Sequence, residues 1–242
     1  MYHSVSFGEK NTWDDWMLIP TSRPLFNPPK RKTNYIEIPG ASSALDLSEA
    51  LTRYPLYNDR EGSMEFYVEN PQGEVDPGLW ALRYSQISSY LNGMKMTAML
   101  EDDPNYYYSG SFWVDSWKSE KDRSKIVIAY RVDPYKYKMT TETLVFDSQN
   151  PIRHIGGENH VIEMMPVIPE LTIANGSARI KFVNKELGIN REHEFNTGTH
   201  KPSWMILSNL PGLTETGTPW NVEFQNYSGA GTATITWRNG RL

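Results

Sequence analysis

The chain contains no cysteine. That excludes disulfides, thiolate zinc sites, iron–sulfur clusters and a cysteine nucleophile together. No run of about 18 apolar residues is present, so no membrane insertion is expected. The opening Met-Tyr-His-Ser-Val-Ser-Phe-Gly lacks the charged leader and apolar core of a secretory signal. Without such a leader the Asn175-Gly-Ser and Asn226-Tyr-Ser triplets carry little weight as glycosylation acceptors. Basic residues are the minority: 24 Lys and Arg against 29 Asp and Glu leave a net charge of −5. Sequence-specific nucleic-acid binding is not expected of such a chain, because it needs a basic footprint. The one basic run, Lys30-Arg-Lys32, follows Pro28-Pro29 and reads as an exposed loop. Also missing are GxGxxG, a P-loop, HExxH, GxSxG and an EF-hand loop. No cofactor is expected.

What the sequence does have is aromatic residues. They reach 12%, led by 14 Tyr and 8 Trp, while hydrophobic residues total only 38%. Tyr and Trp suit half-buried surfaces and interfaces, and they also suit ordinary strands. One helix stands out. Asp76-Pro-Gly-Leu-Trp80 combines a capping Asp with Pro at the first helical position. Trp80, Tyr84, Ile87 and Leu91 then repeat at helical spacing, and Asn92-Gly93 ends the run. About 16 residues give roughly 24 Å of helix.

Strand signals surround it. Ser4 to Phe7, Tyr35 to Ile38, Met64 to Val68, Lys95 to Leu100, Phe112 to Trp117 and Lys125 to Asp133 all read as strands. In the last of these Ile126, Ile128, Tyr130 and Val132 alternate with Val127, Ala129 and Arg131. Ser119 to Ser124 reads as a hairpin connector, Asn58 to Gly62 as a turn, and Leu45 to Leu51 as either helix or strand. Pro20, Pro24, Pro28 and Pro29 make an extended, irregular segment. Beyond residue 138 no helical stripe recurs. Short runs there (Leu144–Phe146, Val161–Met165, Glu170–Ile173, Ala178–Val183, Trp204–Leu207, Asn221–Gln225, Gly231–Arg238) are punctuated by Gly, Pro and Asn, as in an antiparallel sandwich. The expected organisation is a first domain over 1–138, a linker over 139–152 and a second domain over 153–242. The expected class is mainly β with one packed helix.

Catalytic signals are sparse. Glu192-His-Glu194 is the one acid–His cluster, and it has no second His at ligand spacing. Glu101-Asp-Asp103 could supply paired carboxylates for glycoside hydrolysis, but adjacent acids on an extended chain diverge. The Tyr106-Tyr-Tyr108 run suits packing or a protein interface better than sugar stacking. No catalytic or metal-binding residue is assigned, and an enzyme is not expected. The residues point to a β-dominated binding or assembly protein.

Several weak motifs, in order, carry a resemblance over essentially the whole chain. They are Ser6-Phe-Gly with Asn11-Thr-Trp-Asp-Asp-Trp16, Leu45-Asp-Leu-Ser-Glu-Ala-Leu51, Asn58-Asp-Arg-Glu-Gly62 and Tyr90-Leu-Asn-Gly93. Then come Glu101-Asp-Asp-Pro104 with Tyr107-Tyr108, Asp133-Pro-Tyr-Lys136, Met165-Pro-Val-Ile-Pro-Glu170 and the closing Thr234-Ile-Thr-Trp-Arg-Asn-Gly-Arg-Leu242. In these the sequence resembles the distal tail proteins of long-tailed, non-contractile bacteriophages. The resemblance implies a tail-tube-like first domain that closes a homohexameric ring. It also implies a galectin-like second domain pointing outward, and a place at the distal end of the virion tail after assembly in the host cytoplasm. The implied partners are other copies of the chain, the tail tube protein, the tail-associated adhesin or lysin hub, and receptor-binding and tape-measure proteins. DNA would cross the channel without being read. Trp13, Trp16, Tyr106, Tyr107 and Tyr108 are the candidate subunit-interface residues. The alternative is a galectin-like module that recognises host-surface glycans, with Trp204 and Trp220 as contacts. The second half is short, without the long insertions that some relatives use to carry extra binding modules.

Overall fold

A computed structural model describes residues 3–50, 54–68, 77–119, 124–147, 151–156, 162–185, 188–207, 220–228 and 232–242. The fold is mainly β, 56% strand, with curled, barrel-like sheet and one helix among the described residues. Two compact units divide it: Met1–Lys136 with Leu242, and Tyr137–Arg241.

The first unit holds β1 (Val5–Phe7), β2 (Lys10–Asn11), β3 (Leu18–Pro20), β4 (Tyr35–Ile36), β5 (Leu45–Asp46), β6 (Arg60–Val68), α1 (Pro77–Tyr90), β7 (Asn92–Leu100), β8 (Tyr106–Ser119) and β9 (Ser124–Val132). Its main sheet runs β2-β1-β7-β8-β9-β6-β3, and every pairing along that path is antiparallel. The alternation of β9 does what its period predicts. Ile126, Ile128, Tyr130 and Val132 all point into the core, opposite Met64 and Phe66 of β6. The helix stripe is equally literal: Ile87 and Leu91 are buried, and Trp80 and Tyr84 pack half-buried against the same cluster. Gly93 closes it at φ +85°, where a side chain would strain the backbone. The expected Asp76 cap lies outside the described residues.

One reading is corrected here and two are filled in. Asn58 to Gly62 is not all turn, since β6 has begun by Arg60, whose neighbour Glu61 pairs with Arg131. Among its described residues, 45–50, the Leu45 to Leu51 stretch contributes the two-residue strand β5, paired with β4. The proline segment is irregular, as expected, yet it delivers Phe26 into the core. There its ring lies 4.0 Å from Tyr108 and 4.7 Å from Tyr130.

After β10 (Lys136–Lys138), the second unit holds β11 (Glu142–Phe146), β12 (Ile152–Ile155), β13 (Glu170–Asn184), β14 (Ile189–His200), β15 (Trp220–Ser228), β16 (Ala233–Trp237) and β17 (Gly240–Arg241). Its antiparallel sheet runs β11-β16-β13-β15-β12, with β14 also on β13. Asn175-Gly176 does not turn the chain. It is an irregularity inside one continuous strand, with Gly176 at φ +75°. Before it β13 pairs with β16, and after it with β15. Ala233, Ile235 and Trp237 are buried, and the threonines between them are not. The stretch 139–152, expected as linker, contains β11, whose Leu144 and Phe146 enter the second core. The closing segment fastens this unit. Arg238 Nη1 donates to the carbonyls of Lys138 (2.6 Å) and Met139 (2.8 Å), buried Asn239 Oδ1 accepts from the Glu163 amide, and Arg241 pairs with Glu163 at 2.8 Å.

Candidate functional site

The sequence candidates separate by burial. In the segment between β2 and β3, Asn11 Oδ1 accepts from the Trp13 and Asp14 amides, and Asp15 Oδ2 accepts from the Asn11 amide. That turn drops Trp16 into the core against Phe7 (6.3 Å) and Tyr90 (5.6 Å) and leaves Trp13 half-buried. On β8 the alternation of a strand does the rest. Tyr108 is buried against Phe26 and under the Arg60 guanidinium, 5.5 Å from its ring centre, while Tyr106 and Tyr107 stay partly open. Trp16 and Tyr108 are thus committed to their own core and offer a partner almost no surface. Trp13, Tyr106 and Tyr107 keep theirs.

The second unit sorts its two tryptophans likewise. Trp220 is 1% exposed and sits among Phe182, Val222 and Ile155 in the core cluster, so a glycan cannot reach it. Trp204 is half-buried. Its ring stacks on His193 at 5.3 Å, meets Phe182 edge-on, and has the Arg191 guanidinium 5.3 Å from its centre.

The acidic candidates are divided among separate partners. Glu101 accepts from the Ser4 amide and hydroxyl. Asp102 takes His3 Nδ1 at 2.9 Å and Arg23 Nε at 2.7 Å, and these two contacts hold its carboxyl below the usual range. Asp103 takes Lys136 at 2.6 Å. The three carboxylates therefore fasten the start of the chain and the end of the first unit, and they do not converge on one point. Glu192 and Glu194 face Arg179 across β13–β14, at 3.5 and 3.8 Å. Among the described residues no group of three or more His, Asp or Glu is placed to hold a metal.

A feature that strand and helix patterns did not single out is an arm between β3 and β6. Residues 30–46 are exposed without a break. Backbone bonds between Lys30, Lys32, Leu56 and Asn58 tie its base, and β4–β5 forms the ribbon beyond. Tyr35 (57%), Ile36 (47%), Ile38 (48%) and Leu45 (48%) are apolar residues left in water. An open cleft of about 760 Å³ lies at the arm's base, lined by Lys30, Lys32, Asn27, Asp59, Glu61 and Arg131 among others. Arg131 is already paired with Asp59 at 2.8 Å. Behind the base, buried Arg60 donates to the carbonyls of Pro134 and Asn27, and desolvation pushes its pKa down.

Tyr57, at the arm's base, meets Tyr135 edge-on at 6.0 Å. Burial, with Tyr57 and Tyr54 nearby, pushes the Tyr135 phenol up to about 12. The fold favours its neutral form, so that contribution is complete below about pH 10 and is lost as the pH rises from there toward 12. Burial also raises the Tyr108 and Tyr130 phenols, so in an alkaline titration followed by tyrosinate absorbance Tyr135→Phe should reduce the amplitude of the late-ionising phase by one tyrosine without abolishing it. An unchanged late amplitude in Tyr135→Phe would contradict the assignment of a raised phenol to that residue.

No family model and no curated protein matches this sequence. Its architecture is that of a two-unit, mainly β protein with one helix among the described residues. Among solved structures it is similar to the crystal structure of the Dit (gp 19.1) protein of phage SPP1, described as a paradigm of the hub adsorption apparatus in phages that infect Gram-positive bacteria. The identity is 10%, the alignment covers 100% of both chains, and the TM-score is 0.68. At that identity the likeness establishes the fold.

Proposed function

We propose that this chain is a structural subunit of a bacteriophage tail, the distal ring that joins the tail tube to the adhesion apparatus at the tip. The observation that carries this is the likeness to the SPP1 hub protein, which spans 100% of both chains and so includes both units rather than one widespread β domain. On this reading the first unit carries self-association and lines the channel, with Trp13, Tyr106 and Tyr107 as interface residues. The second unit, galectin-like in this reading, faces outward toward the hub and receptor-binding proteins. The chain acts by assembly, not by turnover. Head-to-tail contacts between identical subunits close into a ring when the rotation divides the circle.

The test is the solution mass of the purified chain by light scattering. One subunit is 27.8 kDa. The expected particle is six times that mass. A chain that stays monomeric at every concentration would overturn the self-assembling ring and turn attention to sugar binding at Trp204.

A further inference from the structure

Three Asn-Gly steps occur in the chain: Asn92-Gly93, Asn175-Gly176 and Asn239-Gly240. In such a step the glycine has no β-carbon in the way. Its amide nitrogen therefore reaches the carbonyl carbon of the asparagine side chain wherever the local structure leaves both groups free. The three steps differ in how firmly they are held.

Two of them are restrained. Asn239 is 1% exposed, Gly240 is buried, and Asn239 Oδ1 accepts from the Glu163 amide. Asn92 pairs with Trp113 across β7 and β8, and its Oδ1 accepts from the Met94 amide at 3.1 Å. Asn175-Gly176 lies outside every ladder. β13 pairs with β16 up to Ile173 and with β15 from Ser177 onward, and its register with β14 breaks over the same gap. Ala174, Asn175 and Gly176 are all exposed. The Gly176 carbonyl accepts from the Thr197 hydroxyl at 2.9 Å. The Asn175 side chain has no hydrogen-bond partner among the described residues.

We infer that Asn175 is a site of spontaneous modification, at which the folded chain deamidates to aspartate and isoaspartate. The Gly176 amide gives its proton to hydroxide, and its nitrogen bonds to Asn175 Cγ. The Cγ–Nδ2 bond then breaks, and ammonia leaves with a proton taken from water. A second water opens the resulting succinimide ring. Breaking the new Cγ–N bond yields aspartate. Breaking the original backbone C–N bond yields isoaspartate, in which the chain runs through the side chain. The net reaction consumes water and releases ammonia, with no oxidant or reductant. It takes the formal charge of the chain from −5 to −6. The new carboxylate stands where β13 changes partners, and no strand pairing has to break to admit it.

The test is to age the full chain in mildly alkaline buffer, which supplies the hydroxide, and to follow it by tryptic peptide mapping. Trypsin releases the three steps on separate peptides, 84–95, 154–179 and 239–241. The expected result is a gain of one mass unit that appears first on 154–179 and is located to Asn175 by fragmentation, with 239–241 unchanged. In denaturant, where the fold protects none of the steps, all three peptides should convert. Conversion led by Asn92 or Asn239 in the folded chain would overturn the inference. So would conversion of Asn175 only after unfolding. A second measurement uses an isoaspartyl methyltransferase, which labels isoaspartate in the aged chain. Asn175→Gln, a change at an exposed position outside the ladders, should remove most of that label. Label that persists undiminished in the variant would overturn the assignment.

Discussion

Gly110→Ala should cost the first unit at least about 3 kcal/mol, the upper range of overpacking in a well-packed interior. A β-carbon at Gly110 would lie 2.5 Å from the Val132 α-carbon and closer still to the Arg131 carbonyl oxygen. Both are backbone atoms of β9, so neither can step aside as a flexible side chain would. Gly110 pairs with Val132 on one side and Met96 on the other, and relief would require β8 to part from β9 at the centre of the sheet. With whole-domain stability typically about 5–15 kcal/mol, such a loss is a large share of the total. The measurement is the denaturant midpoint, with Gly93→Ala as the control. Gly93 has open space around its missing β-carbon but sits at φ +85°, so it should lose only about 1–2 kcal/mol from backbone strain. Equal losses at the two positions would mean that crowding at Gly110 relaxes freely.

Trp220→Ala should cost about 3–5 kcal/mol, the range for removing a large aromatic side chain from a core. Trp220 is among the largest fully buried side chains of the molecule and pairs across strands with Ile155, itself fully buried. Trp204→Ala should cost less, because that ring is half-exposed and touches the core mainly through Phe182. Thermal denaturation of the two variants separates the roles. A Trp220→Ala protein of unchanged stability would contradict the packing described here and revive the glycan reading of that residue.

Gly110 also illustrates what sequence patterns carry and what they do not. Gly reads as punctuation, and the strand expected from Phe112 in fact begins at Tyr106 and runs through Gly110. At this position Gly marks close backbone approach rather than a turn, a distinction that depends on β9, which is remote in sequence. Asn175-Gly176 misleads for the same reason, by bending β13 without ending it. Elements whose periodicity faces a core were legible: the α1 stripe, β9 and β16. Strand β14 was not, because Arg191 to Glu194 is exposed at every position and leaves no alternation to read. Phe26 was hidden by its prolines, since nothing local signals that an irregular segment folds back over Tyr108 and Tyr130.

The candidate residues divide along the same line. Aromatic content announced interfaces and cores together, and only packing assigns Trp16, Tyr108 and Trp220 to cores. The arm was not legible as a unit: Tyr35–Ile38 reads as a strand and Leu45–Leu51 as helix or strand, and nothing local shows that the short strands Tyr35–Ile36 and Leu45–Asp46 pair away from either core. Its exposure is a three-dimensional fact.

Negative-stain electron microscopy of the purified full-length chain tests the central proposal most directly. The account predicts annular particles with a central opening and six-fold averages. Compact particles of one subunit, or open filaments without closure, would contradict it.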